Sequence, residues 1–294
     1  MASLPADRPL SAKSGRVKTA RRLARRNSRT EQRLFLAEGA KALTEAMHVP
    51  AGVVEVFATE AASEQYAALR KAVDDAGVPW FPANEDAIVS LSGAVTPQGM
   101  VAVCRFLEVD LDAVLESGFD TLAGARSSTT EERSPTLVIC ADVRDPGNAG
   151  TVIRSADAAG AVGVVLSENS VDPYNDKTVR ASVGSLWHLP VSVVNDAADC
   201  VRRAQNAGFV VLAADGAGDT DLFEAERSGL LDQPVAWLFG NEAWGLPDEL
   251  ASLADHRVSI PIFGRAESLN LATAAAVCLY ASARRRNQAA KQSP

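Results

Sequence analysis

The chain has 294 residues, 47% hydrophobic and 22% charged, with 20 Gly and 14 Pro, which suits roughly two domains of about 150 residues and excludes collagen, coiled coil and wholesale disorder. It has no run of 18 apolar residues that would cross a membrane, and no hydrophobic signal core in MASLPADRPL. The formal charge of −8 is uneven: residues 1–33 hold ten Lys/Arg against Asp7 and Glu31, a net of +8, which leaves −16 for the rest.

That asymmetry reads as a basic, nucleic-acid-facing arm over residues 1–33, with Arg21, Arg22, Arg25 and Arg26 at its centre. A membrane-surface arm needs an apolar face, and only Val17, Leu23 and a few alanines interrupt the charges. The plain alternative is a solvated terminus. Cys104, Cys140, Cys200 and Cys278 are far apart, with neither C-x-x-C spacing nor dense usage. Buried free thiols in a reducing cytoplasm are therefore expected.

Residues 34–108 alternate helical and extended patterns, and so form a compact α/β unit. Helices are predicted over 37–48, 63–77 and 84–93, and strands over 53–59, 78–83 and 99–106. Residues 109–135 read as a linker, because 117–135 are small, polar and charged without apolar period. A second α/β alternation fills 136–294. Strands are predicted over 136–143, 162–167, 189–194, 209–215, 234–240 and 258–262. Helices are predicted over 151–160, 177–188, 197–208 and 268–286. Short all-apolar strands between amphipathic helices imply a parallel sheet covered on both faces.

Ligands of such sheets bind beyond the carboxyl ends of the strands, and three of those loops are unusual. The first, 141–160, turns at Asp145-Pro146-Gly147-Asn148 into a helix that carries Arg154. Asn148 is expected to cap that helix, and Arg154 suits a phosphate or a developing oxyanion; a surface salt bridge is the alternative. The second, 237–250, runs from a strand into Gly240-Asn241-Glu242 and on to Trp244-Gly245, without the Lys-Ser/Thr of a phosphate loop. Glu242 reads either as a partner of Arg154 or as a ligand group. The third, 258–277, leads through Glu267-Ser268-Leu269-Asn270 into an Ala-rich helix, with Ser268 as the expected cap. Ser268 lies outside a G-x-S-x-G elbow. His48, His188 and His256 lack metal-ligand spacing, so they read as structural and no metal is expected.

As a set, these stretches resemble the three motifs of the SpoU-type RNA 2′-O-ribose methyltransferases of the SPOUT superfamily. The first is Asn148-x5-Arg154, the second Leu238-Phe239-Gly240-Asn241-Glu242-x-x-Gly245, and the third Ile260-Pro261-x5-Glu267-Ser268-Leu269-Asn270-x-x-x-Ala274. Upstream, Phe35-Leu36-Ala37-Glu38-Gly39, Ser92-Gly93 and Thr96-Pro97-Gln98-Gly99 are similar to the family's L30e-like substrate-binding domain, and the basic arm is similar to that of actinobacterial and thiostrepton-resistance-type members.

The resemblance implies an α/β protein with a small L30e-like domain, followed by a parallel-sheet SPOUT domain with a trefoil knot. It also implies S-adenosylmethionine as methyl donor, RNA as substrate (23S ribosomal RNA ahead of transfer RNA), and a homodimer. By the same match Arg154, Asn148, Glu242, Ser268 and Asn270 form the catalytic wall, with Arg154 favoured as an electrostatic stabiliser over a base. The cofactor would lie against Leu212, Ala213, Gly240, Asn241, Ile260 and Leu269, and Arg180 would face RNA. The runner-up readings are a transfer-RNA methyltransferase and a catalytically silent RNA-binding module. A dinucleotide oxidoreductase lacks its G-x-G-x-x-G.

Overall fold

A computed structural model describes residues 8–124 and 134–292, with side chains described for 8–117 and 134–285. The chain divides into two compact units. One holds the residues through Leu107 together with Asp172–Trp187, and the other holds Glu108–Val171 and the residues from His188 on.

The first unit is built on a four-stranded sheet: β1 (Leu34–Glu38), β2 (Val53–Ala58), β3 (Trp80–Pro82) and β4 (Met100–Arg105), in the order β1-β4-β2-β3. β4 is antiparallel to β1 and β2, while β3 is parallel to β2. β1 was not expected as a strand; residues 37–38 belong to it, and the following helix starts only at Ala40.

The basic segment is not an arm apart from this unit. Helices Gly15–Arg21 and Arg26–Gln32 flank a short 3-10 turn at Arg22–Ala24. Val17, Ala20 and Leu23, spaced three apart on one face, are buried in a core with Leu36, Phe57, Ile88 and Val101. Leu10, partly buried, packs against the same core. Arg29 is itself 3% exposed: its Nε and Nη2 donate to Asp172 Oδ2 at 2.8 and 2.6 Å, and its Nη1 donates to the carbonyls of Leu23 and Ala24.

Asp172 opens the segment that joins this unit from far along the chain. Tyr174 is fully buried, stacked 4.0 Å from Phe106 and tilted 4.7 Å from Phe35, and its hydroxyl accepts from the Leu107 N–H. The helix expected over 177–188 is shorter, Asp176–Ser182. Val183 and Gly184 take left-handed backbone there, and a 3-10 turn, Ser185–Trp187, follows.

The second unit carries seven strands: β5 (Thr136–Cys140), β6 (Gly163–Ser167), β7 (Val191–Val194), β8 (Val210–Ala214), β9 (Thr220–Asp221), β10 (Val235–Phe239) and β11 (His256–Ser259). All neighbouring pairs are parallel, in the order β7-β6-β5-β10-β8-β11-β9. Every residue of β5, β6 and β10 is buried, as expected for strands covered on both faces. Residues 111–124, placed in the linker by the sequence reading, form helix Leu111–Gly124 instead. Leu111, Val114 and Leu115 lie at helical spacing and join the core with Leu137, Val165 and Val211. Residues 125–133 of the expected linker fall outside the described residues.

Two further helices frame the strand ends. Pro146–Ala158 begins earlier than its apolar pattern suggested, because Pro146 is pre-set for the first helical position and Asp145 accepts from the Asn148 N–H. Asp145, and not Asn148, is therefore the cap. The last helix, Leu271–Gln292, packs against Pro146–Ala158 and β10, and Trp237 Nε1 donates to Ser282 Oγ at 2.9 Å in the buried seam. All four cysteines are buried and free. Burial pushes Cys104, Cys140 and Cys200 up to about 12 and raises Cys278 as well, so none presents a thiolate at neutral pH.

Candidate active site

The carboxyl ends of β8, β10 and β11 open onto a cavity of about 320 Å³. Ala214 lines it at the last residue of β8, Asp215 and Gly216 just after, Phe239 to Ala243 at the end of β10, and Val258, Ile260 and Ile262 along β11 and beyond. Glu267, Ser268 and Leu269 close it together with Leu271 and Ala274 of the last helix.

The β10 loop is folded tightly on itself. Asn241 and Gly245 exchange backbone hydrogen bonds at 2.8 and 2.9 Å. A Cβ on Gly240 would stand 2.3 Å from the Gly245 carbonyl carbon and 2.5 Å from the Leu246 nitrogen, so only glycine fits. Asn241 is 6% exposed, and both ends of its amide are used: Nδ2 donates to the Asp142 carbonyl and Oδ1 accepts from Ala243 N–H, each at 2.8 Å. Its side chain braces the loop that lines the cavity.

A chain of amides runs along the rim. Asn270 Nδ2 donates to Asn148 Oδ1 at 3.0 Å, and Asn148 Nδ2 donates to Glu242 Oε1 at 3.2 Å. Glu242 also accepts from the N–H groups of Asp145 and Arg144, at 3.0 and 3.2 Å. Partial burial pushes the Glu242 carboxyl up, but the N–H groups of Asp145 and of Glu242 itself, with the Asn148 amide and the Arg144 N–H, outweigh it and hold the group below its ordinary range, as an anion. Of the two readings left open for Glu242, partnership with Arg154 is not realised. Arg154 is exposed on its helix and makes no hydrogen bond or ion pair among the described residues. Asp215 is likewise pushed up by burial, yet it is held below its ordinary value by the Ala217 N–H and by Arg257, whose Nε donates at 2.9 Å.

The other expected positions divide. Gly240, Asn241, Ile260, Leu269, Glu242 and Ser268 line the cavity, but Ser268 does not cap the last helix. That helix begins at Leu271, and Asn270 Oδ1 accepts from the N–H groups of Ala272 and Thr273. Leu212 and Ala213 do not line it. They lie fully buried inside β8, and the lining begins one residue later, where the strand runs out. Asp215, Gly216 and Ile262 were missed, although the rule that ligands sit beyond strand ends would have found the first two.

In the first unit Arg21, Arg22, Arg25 and Arg26 are exposed on the N-terminal helices. Arg180 is half-buried and held between carboxylates, Asp176 at 3.0 Å and Glu38 at 3.7 Å, with Nη2 also donating to the Gly93 carbonyl. Glu38 in turn accepts from Ser92 Oγ and the Gln98 N–H, which gathers the upstream motifs at one place.

Comparison with known proteins gives two family matches: the SpoU rRNA Methylase family over residues 135–280, and an MRM3-like substrate binding domain over 15–102. The chain is 33% identical over 271 residues to the 23S rRNA (guanosine(2553)-2′-O)-methyltransferase RlmP of Bacillus subtilis (strain 168), across 92% of this chain and 96% of that protein. Among solved structures it is similar to the AdoMet-bound rRNA methyltransferase of Sinorhizobium meliloti, with 32% identity, a TM-score of 0.77, and coverage of 94% of this chain and 97% of that one. It is also similar to the SpoU methyltransferase AviRb of Streptomyces viridochromogenes in complex with AdoMet, with 29% identity, a TM-score of 0.77, and coverage of 94% and 99%.

Proposed function

The chain belongs to the SpoU rRNA methylase family, and on that premise we propose that it transfers a methyl group from S-adenosylmethionine to a ribose 2′-OH of 23S ribosomal RNA. The observation that carries the reading is the Asn270–Asn148–Glu242 chain at the strand-end cavity, whose middle member, Asn148, sits on the helix that also bears Arg154, unpaired among the described residues. The cavity fits the donor. Its walls are apolar at Phe239, Val258, Ile260 and Leu269, its edges are backbone at Gly216 and Gly240, and its charged lining is Asp215, Glu242 and Glu267 with no Lys or Arg. Such a lining suits a ligand with an adenine ring and cationic ammonium and sulfonium groups.

S-adenosylmethionine would supply the electrophilic methyl group and leave as S-adenosylhomocysteine, with the hydroxyl proton released to solvent; the chain's residues orient the hydroxyl and stabilise its developing charge. The guanidinium of Arg154 carries only N–H donors and no acceptor, so it acts on the 2′-oxygen and the neighbouring phosphate as an electrostatic stabiliser in preference to a base. Glu242 has three N–H donors on its carboxylate and serves to hold Asn148 in one amide orientation. Asn148, on the same helix as Arg154, is fixed from the other end by Asn270.

RNA is gripped by the first unit, whose exposed Arg21, Arg22, Arg25 and Arg26 offset the acidic remainder of the chain. The active form is a homodimer. Exposed apolar side chains of the second unit, including the stacked pair Phe223 and Phe263 with Val277 and Tyr280, support that reading. The knot implied by the motif match is supported by strand order: β10 inserts between β5 and β8, and β11 between β8 and β9, each between strands laid down earlier. No described helix is long and apolar enough to cross a membrane, and the proposed place of action is the cytoplasm, with the ribosomal substrate.

The test is transfer of labelled methyl to unmodified 23S ribosomal RNA and to transfer RNA transcripts, with 2′-O products mapped by resistance to alkali. Label confined to transfer RNA would refute the substrate. Arg154→Ala is expected to lower turnover by about 10²–10³-fold while calorimetric affinity for S-adenosylmethionine stays within about twofold, since Arg154 does not line the cavity. Wild-type turnover by that variant would refute the assignment.

A further inference from the structure

Trp244 is 57% exposed, although its loop is closed by hydrogen bonds on both sides of it. The Asn241–Gly245 backbone pair closes the loop, and the buried Asn241 amide ties it to Asp142. Constraint of that kind fixes the backbone that carries the indole, so its exposure does not come from a loose tip. The guanidinium of Arg144 lies over the ring, 5.2 Å from its centroid, and is itself held by Asp142 through Nε at 2.9 Å. The same Arg144 donates its backbone N–H to Glu242. Trp244 is flanked in sequence by Ala243 and Gly245, both of which line the cavity. An exposed aromatic face is thus anchored to the loop that sets Asn148 and to the cavity rim.

We propose that Trp244, backed by Arg144, is a stacking platform for a base of the RNA substrate at or next to the methylated nucleotide. The inference rests on the 2′-O-methyltransferase reading above. Its logic is steric and chemical. A ribose hydroxyl presented to the rim must carry its base to one side, and single-stranded RNA bases are held by stacking on aromatic and guanidinium planes. A ring with a cation on it and solvent on the remainder offers that surface, and stacking is tolerant of base identity. Arg154, exposed and unpaired among the described residues, lies on the helix that follows the Arg144 loop and is available for the phosphate.

The experiment uses full-length protein with unmodified 23S ribosomal RNA transcript, and compares wild type with Trp244→Leu, Trp244→Ala and Trp244→Phe. Trp244→Leu and Trp244→Ala are expected to lose about 10- to 100-fold in kcat/KM, the range that base–aromatic stacking supplies, and Trp244→Phe is expected to stay within about threefold of wild type. Calorimetric affinity for S-adenosylmethionine and mass by light scattering should be unchanged in all three. Wild-type kcat/KM for Trp244→Leu overturns the platform while leaving the methyltransferase reading intact. A shift in mass that accompanies the loss also overturns it, by assigning Trp244 to contact with a second copy of the chain. Absence of transfer by the wild type overturns the functional reading and this inference with it.

Discussion

Replacing Arg29 by Met removes one half of a buried ion pair and leaves Asp172, 9% exposed, without its cation. The lost interactions are two charge-assisted bonds to Asp172 Oδ2 and two to the carbonyls of Leu23 and Ala24. Asp172 keeps the Tyr174 N–H at 2.8 Å, too little to replace a guanidinium. Breaking a buried pair from one side costs about 3–5 kcal/mol, or roughly 10–15 °C in the unfolding midpoint of a domain of this size. The loss should be local at first: hydrogen exchange in Gly15–Arg21 and Arg26–Gln32 should accelerate before that of β2 and β4. Because most of the cost is the stranded charge, the double variant Arg29→Met with Asp172→Leu is expected to recover most of it. Urea unfolding and exchange mass spectrometry on wild type, both single variants and the double complete the cycle. A loss under about 1 kcal/mol for Arg29→Met, or a double variant as unstable as the worse single, would refute the argument that this pair docks the N-terminal helices.

Other outcomes follow from the same geometry. Gly240→Ala forces a methyl group into the Gly245 backbone; it should abolish S-adenosylmethionine binding by calorimetry and lower the melting temperature, and retained affinity would show that the loop can open without consequence. Glu242 has a folded-state pKa below its reference value of 4.5, so its contribution to stability is complete above about that pH and is lost as pH falls through the depressed value. The pH dependence of the urea midpoint between about 3 and 6 should therefore be flatter in Glu242→Gln than in wild type. Changing Arg21, Arg22, Arg25 and Arg26 together to Gln preserves the buried Val17–Leu23 face, and should reduce the slope of log K against log salt for RNA binding by about three units if all four touch phosphate. An unchanged slope would move the grip elsewhere.

Much of the second unit was legible in the sequence. The runs in β5, β6 and β10 are largely apolar because both sheet faces are covered, and the loops after β5, β10 and β11 are marked by polar residues that no apolar pattern explains: Asn148, Glu242 and Asn270. Periodicity and turn chemistry are local properties, so a local reading recovers them. It fails where a segment's fate depends on a distant partner. The stripe Val17, Ala20 and Leu23 looks too thin for a core until the face it meets is known, and nothing near Tyr174 says that its ring will stack on Phe106, 68 positions earlier in the chain. The motif match puts the cofactor against Leu212 and Ala213, but β10 and β11 cover β8 through those residues, and only at Ala214 does the strand end face the cavity. Strand order, and with it the meeting of Asn148 and Asn270 across 122 positions, comes from long-range burial that no window of sequence contains; the residue types were chosen for the chemistry, but only the completed sheet brings their amides within hydrogen-bond reach.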